Sequence, residues 1–259
     1  MRSISKKIDK KIRQFSRVPK VWVQYVREPK HENTTRYIFH HIPKCGGTSA
    51  VDALTNSFIV LKDYPPAWSD EDNLRVYQKF CNNPKNLNDL KPYQLIVGHY
   101  HLEKSFLHQR YPNWKADGYK LFTFLRDPLE LQISLYHYEI RNKRISADEP
   151  LENRLLLRKN YIAGRIPCND SNYLSMLQRY FFIGIVEKYQ ESFNRLLSLI
   201  GKPPVKLKIY NESSRKNIKL SDEFISEFKE INQLDYKIYN YGKSFYENKT
   251  REILSLPKH

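Results

Sequence analysis

Cysteine is scarce in this sequence: only Cys45, Cys81 and Cys168 carry a thiol among 259 residues. They are far apart and form no C-x-x-C pair, which argues against a disulfide framework, a redox dithiol or a zinc knuckle and fits a reducing compartment. Long apolar runs are missing from the basic start of the chain as well. The longest in residues 1–34 is "VWV", far too short for a signal-peptide core or a membrane span, so a soluble, cytoplasmic protein is expected. Acidic residues are also in short supply, 28 against 44 Lys and Arg, leaving a formal charge of +16. That surplus implies a surface or cleft that attracts anions, whether nucleic acid, nucleotide, anionic glycan or acidic lipid, without choosing among them. No repeat, low-complexity tract or long linker divides the chain. The expected organisation is a basic N-terminal arm, 1–34, followed by a single domain, 35–259.

From residue 36 onward, apolar runs alternate with amphipathic stretches, the pattern of an α/β fold with a mainly parallel sheet flanked by helices. "RYIFHHI" reads as the first strand and "GTSAVDALTNSF" as a helix. "YPPAWSDEDNLRVYQKF" turns from a proline-broken loop into a helix capped by Ser69 or Asp70. "YQLIVGH" and "GYKLFTFLRD" are apolar on consecutive positions, as strands buried on both faces should be. "PLELQISLYHYEIR" continues as a helix with proline near its first position. Residues 142–172 break the alternation and read as a helical insertion. Strand "FFIGIVE", helix "KYQESFNRLLSLIG", a short strand "KLKIY", a polar loop and two helices complete the domain.

The densest chemistry lies in "HHIPKCGGTS", residues 40–49. Behind a buried strand, Gly46 and Gly47 let the backbone turn tightly and approach a ligand. The amides of Gly47, Thr48 and Ser49 then point outward at a helix N-terminus, and Lys44 adds a mobile cation. This predicts an anion site. It is not the nucleoside-triphosphatase pattern G-x-x-x-x-G-K-[ST], because Lys44 precedes both glycines. In "FTFLRDPLELQISLYHY", Arg126 ends a strand and Ser134 lies about two turns into the next helix, so a planar guanidinium and a hydroxyl can flank one phosphate. The bland alternatives are a solvated loop lysine, and a surface Arg126–Asp127 pair with Ser134 facing solvent.

Together these two segments resemble the sulfotransferases that use 3′-phosphoadenosine 5′-phosphosulfate (PAPS). The closer likeness is to the carbohydrate O-sulfotransferases that include the heparan and chondroitin uronyl 2-O-sulfotransferases. "FIGIVEKYQESFNRLLSLIG" and "INQLDYKIYNYG" are similar to family stretches late in the chain. The resemblance implies a P-loop-like three-layer fold with the cofactor at the carboxyl ends of the strands, as in open α/β sheets generally. It places Lys44 on the sulfate and bridging oxygen, the turn Cys45, Gly46, Gly47, Thr48 and Ser49 on the 5′-phosphate, and Arg126 with Ser134 on the 3′-phosphate. Arg215 and Lys216 are candidates to close over the nucleotide, the alternative being a solvated basic loop. Leu131 departs from the family, which often has a second arginine there. No metal is expected, since a lysine and helix-end amides can stabilise the charge of sulfuryl transfer.

The attacking hydroxyl benefits from a base, and His99 at the end of "YQLIVG" is the candidate, in a Gly-His segment that looks like the catalytic histidine of the uronyl 2-O-sulfotransferases. His101 is its competitor, His40 and His41 read as strand or packing residues, and Glu103 reads as a solvated carboxylate. The expected acceptor is a hydroxylated glycan, acidic in keeping with the positive charge, or a small molecule. A nucleotide kinase on a related fold and a basic nucleic-acid-binding protein are the alternatives. The second leaves the glycine turn, the Arg/Ser pair and the strand-end histidine unexplained, and no nucleic-acid-binding motif occurs.

Overall fold

The computed structural model describes residues 35–66, 71–208 and 218–254. Five strands, β1 (Arg36–His40), β2 (Ile59–Asp63), β3 (Gln94–Gly98), β4 (Tyr119–Leu125) and β5 (Tyr180–Ile185), form one sheet in the order β2-β3-β1-β4-β5. Every pairing is parallel. The three inner strands are buried almost throughout because helices cover both faces, which is why their sequences are apolar without alternation. Ile38 lies between Ile96 and Leu121 in register, and Phe39 stacks on Phe122 with ring centroids 4.9 Å apart. Since all strands run the same way, His40, Asp63, Gly98, Leu125 and Ile185 end along one edge, where a ligand crevice forms in open α/β sheets. The fold is the α/β arrangement of a parallel sheet flanked by helices that the alternation implies.

Two segments correct the sequence reading. The first helix, α1 (Gly47–Leu54), stops short of Phe58, and Ile59–Asp63 becomes edge strand β2. Thr55 Oγ1 and Asn56 Nδ2 donate to the carbonyls of Asp52 and Ala53 and close the helix early. β2 carries little strand signal because it is at the sheet edge, with only Val60 and Asp63 fully buried. The expected strand "KLKIY" is not one over its described part, residues 206–208. Its extended backbone is satisfied by side chains of α8 (Tyr189–Leu199): Leu207 N donates to Gln190 Oε1 and Val205 N to Asn194 Oδ1. Alternating lysines leave only Leu207 for the core.

The remaining helices are α2 (Glu71–Asn82), α3 (Leu107–Arg110), α4 (Pro128–Arg141), α5 (Leu151–Leu156), α6 (Tyr161–Arg165), α7 (Tyr173–Leu177), α9 (Asp222–Ile231) and α10 (Gln233–Leu254). The stretch 142–172 contains α5 and α6. α4 begins where expected, with Pro128 at its start. Asp127 caps it by accepting from the amides of Leu129 and Glu130, rather than pairing with Arg126. Among the described residues no helix is long and apolar enough to cross a membrane. The arm 1–34, Ser69, Asp70, Arg215 and Lys216 lie outside the described residues.

Candidate active site

The turn between β1 and α1 is built from two left-handed residues, Lys44 at φ 69° and Gly46 at φ 76°. Gly46 is the N-cap of α1, without a side-chain cap. A lysine in that conformation is strained, and the turn that results presents successive amides in the manner of an anion-binding nest. Gly47 and Thr48 open α1, so their amides have no partner inside the helix. The Ser49 amide is not free as the sequence suggested: it donates to the Gly46 carbonyl at 3.0 Å, and Ser49 is buried. Cys45 is buried in the core and its amide donates to the Ile42 carbonyl at 3.2 Å, so neither its thiol nor its amide is free for a ligand.

Both glycines are required by close neighbours. A Cβ on Gly46 would lie 2.6 Å from Cζ of Tyr189, whose hydroxyl donates to the Gly46 carbonyl, and a Cβ on Gly47 would overlap the His41 ring. Gly47→Ala is therefore expected to displace His41 and lower stability by about 1–3 kcal/mol, as forced overpacking does. Denaturant midpoints measure this, and an unchanged midpoint would mean that the ring moves aside freely.

Cations converge on this turn. The Lys44 ammonium lies 4.5 Å from the centroid of the Tyr138 ring. Burial first, then the charges of Arg141 and Arg126, pull its pKa down to about 8. Arg126 follows β4 and Arg141 ends α4, and the charges of both reach Lys44. Arg126 is only lightly held, by a 3.3 Å contact to Glu130 one turn on. Ser134 and Leu131 are both buried on α4. An arginine in place of Leu131 would be forced into the core, and the charge reaching Lys44 from this helix comes instead from Arg141.

The histidines meet beside the turn. His99, directly after β3, places Nε2 3.1 Å from His41 Nδ1, and the same Nδ1 lies 3.1 Å from the Tyr64 hydroxyl. The sequence marked His41 as a packing residue. The fold makes it the link between the Gly47 turn and His99. Its only sequence signal is indirect, in the small residue its ring demands at position 47. Tyr64 follows Asp63, whose carboxylate accepts from both Nε and Nη2 of buried Arg110 and from the Tyr111 hydroxyl, each at 2.7 Å. Burial, and then the Arg165 charge, lower the His99 pKa to about 4. His101 is lowered to about 3 by the same two causes in the same order, with further repulsion from His99 and His40. Both rings are neutral at pH 7 and able to accept a proton. His40 behaves as expected, buried and bonded to the Tyr180 hydroxyl at 2.7 Å, and Glu103 is exposed.

A small cavity lined by residues including His40, Trp114 and Arg179 is lined by none of Lys44, Arg126 and His99, so it is not this site. Among the described residues no group of His, Cys, Asp or Glu is placed to hold a metal ion. What the site combines is a glycine turn with two helix-end amides and a lysine, and a neutral imidazole, at adjacent strand ends.

No family model matches this chain, and no curated protein matches it in sequence. Among solved structures it is similar to a sulfotransferase from Alicyclobacillus acidocaldarius, with a TM-score of 0.45 and 13% identity over 81% of this chain and 96% of that one. The mouse sulfotransferase SULT7A1, complexed with PAP, gives a TM-score of 0.45 and 12% identity over 80% and 89% of the two chains. A retinol dehydratase in complex with androsterone and the inactive cofactor PAP gives 0.39 and 15% over 79% and 66%.

Proposed function

We propose that the protein is a sulfotransferase that moves a sulfuryl group from PAPS to a hydroxyl of a carbohydrate or related acceptor. The observation that carries this reading is the continuity of the site: the Lys44–Gly47 turn touches His41, and His41 touches His99. An anionic donor held at the turn and a hydroxyl activated at His99 would thus be neighbours, as an in-line transfer requires. PAPS supplies the sulfuryl group when bound. Lys44 offsets the negative charge that builds on the leaving oxygen, the Gly47 and Thr48 amides hold the 5′-phosphate, and Arg126 with Ser134 reads the 3′-phosphate. His99 donates Nε2–H to His41 Nδ1 in the tautomer that leaves a lone pair on its own Nδ1, and that atom takes the acceptor's proton. A kinase reading lacks the lysine before Thr48 that a triphosphate loop needs.

Calorimetric titration tests this. Wild-type protein is expected to bind 3′,5′-adenosine bisphosphate and to bind ATP and oligonucleotides far more weakly. Arg126→Ala or Ser134→Ala is expected to weaken the bisphosphate roughly tenfold, the scale of one charge-assisted hydrogen bond, while changing 5′-AMP much less. Equal losses for both nucleotides would remove the pair from 3′-phosphate recognition, and tighter binding of ATP would favour the kinase.

A further inference from the structure

Gly46 and Gly47 share a peptide with no Cβ on either side, the kind whose rotation meets the least steric resistance. In a planar trans peptide the carbonyl and the N–H point in opposite directions. Whatever holds the Gly46 oxygen therefore also aims the Gly47 N–H. From its own helix that oxygen accepts the amides of Ser49 and Ala50, at 3.0 and 3.2 Å, and Gly46 as N-cap brings no capping side chain. A further bond reaches it from 143 residues along the chain: the Tyr189 hydroxyl donates to the same oxygen.

Tyr189 is itself firmly placed. It opens α8 just after β5, and its ring meets Phe124 of β4 edge-on with centroids 5.4 Å apart. β5 and α8 are locked together by buried Ser192, whose Oγ accepts from the Ile185 amide and donates to the Ile185 carbonyl, both at 3.0 Å. Two residues before Tyr189, the Glu187 carboxylate accepts from the Asp127 amide at 2.9 Å, next to Arg126. One junction thus braces both the glycine turn and the start of α4. Tyr189 braces the part where the direction of a single peptide decides whether an amide or a carbonyl faces a ligand.

We propose that Tyr189 is a positioning residue for the anionic donor: by holding the Gly46 carbonyl, its hydroxyl keeps the Gly47 N–H turned outward to the 5′-phosphate. It acts through the peptide plane rather than on the nucleotide. Without the hydroxyl, the Gly46–Gly47 peptide gains orientations that present an oxygen to the phosphate and repel it. This rests on the sulfotransferase reading for the identity of the anion, whereas the direction of the peptide can be measured with no ligand at all.

Tyr189→Phe removes the hydroxyl and keeps the ring on Phe124. In the full chain without ligand, the three-bond couplings between the Gly47 amide and α protons report its φ. They are expected to show one helical value in the wild type and an average over two orientations in Tyr189→Phe, with the couplings of Ala50, Val51 and Ala53 unchanged. By calorimetry, Tyr189→Phe is expected to bind 3′,5′-adenosine bisphosphate and 5′-AMP each about fivefold more weakly, the scale of one neutral hydrogen bond. Both nucleotides carry the 5′-phosphate, so the ratio of their affinities should hold, unlike that of Arg126→Ala. A wild-type Gly47 already averaged, an unmoved Gly47 in the variant, unchanged affinities or a loss confined to the bisphosphate would each overturn the proposal. So would couplings altered throughout α1, which would make the hydroxyl a general support of the helix. Failure of the wild type to bind either nucleotide would instead count against the sulfotransferase reading, and the Gly47 couplings would still decide whether Tyr189 sets the direction of this peptide.

Discussion

Lys44→Ala is expected to lower turnover with PAPS roughly 10²–10³-fold, the usual cost of removing one donor aimed at charge that develops in the transition state. The fold should survive, since the side chain is half-buried and its one described aromatic contact, Tyr138 at 4.5 Å, contributes about 1 kcal/mol. A second signature follows from its pKa of about 8, lowered by burial and by Arg141 and Arg126. Below that value the lysine is charged and holds an anion. As pH rises through it the proton is lost, so affinity for 3′,5′-adenosine bisphosphate should fall. A bound anion raises the pKa again, and binding near pH 8–9 should therefore take up a proton, which calorimetry in buffers of different ionisation enthalpy detects. Lys44→Arg cannot titrate in this range and should bind without proton uptake. Near-normal turnover of Lys44→Ala would take the residue out of the mechanism.

His99→Ala is expected to lose a hundredfold or more in turnover while retaining affinity for the bisphosphate, as loss of a general base should. His101→Ala should keep most activity. In the wild type, the acid limb of kcat/KM should lie near pH 4 rather than 6.5, because burial and Arg165 keep His99 unprotonated. The same depression costs stability in acid. His40, His99 and His101, lowered to about 3, 4 and 3, bind fewer protons folded than unfolded, so their contribution is complete above pH 6.5 and is lost as pH falls toward those values. Rates below pH 6 thus need circular dichroism at each point to separate unfolding from titration. Normal turnover in His99→Ala with loss in His101→Ala would assign the base to the other imidazole, and full activity in both would leave neither essential.

Much of this site can be read along the chain. The Lys44–Ser49 turn is legible because a buried strand, two glycines and a helix start must follow one another directly to make it, and β4 with α4 is legible for the same local reason. His99 stands out because Gly98 ends β3 just before it. What escaped the sequence was every relation across strands. Nothing near His41 says that its ring will meet a histidine 58 positions away, and nothing near Arg165 names the histidines it repels. β2 was missed because an edge strand with two fully buried positions has almost no periodicity to read.

The sequence by itself determined most of the order of elements, the glycine turn after β1 and the excess of positive charge, since helix periodicity, glycine conformations and net charge are properties of neighbouring residues or of the whole composition. Only the tertiary structure decided which charges and rings share the crevice. Parallel pairing of β1 with β3 and β4 sets the carboxyl ends of three distant segments side by side, bringing His41 to His99 and Arg126 to Lys44. The pKa values of Lys44 and His99 belong to that second category, because burial and charge at a few ångströms fix them and neither exists before the sheet has formed.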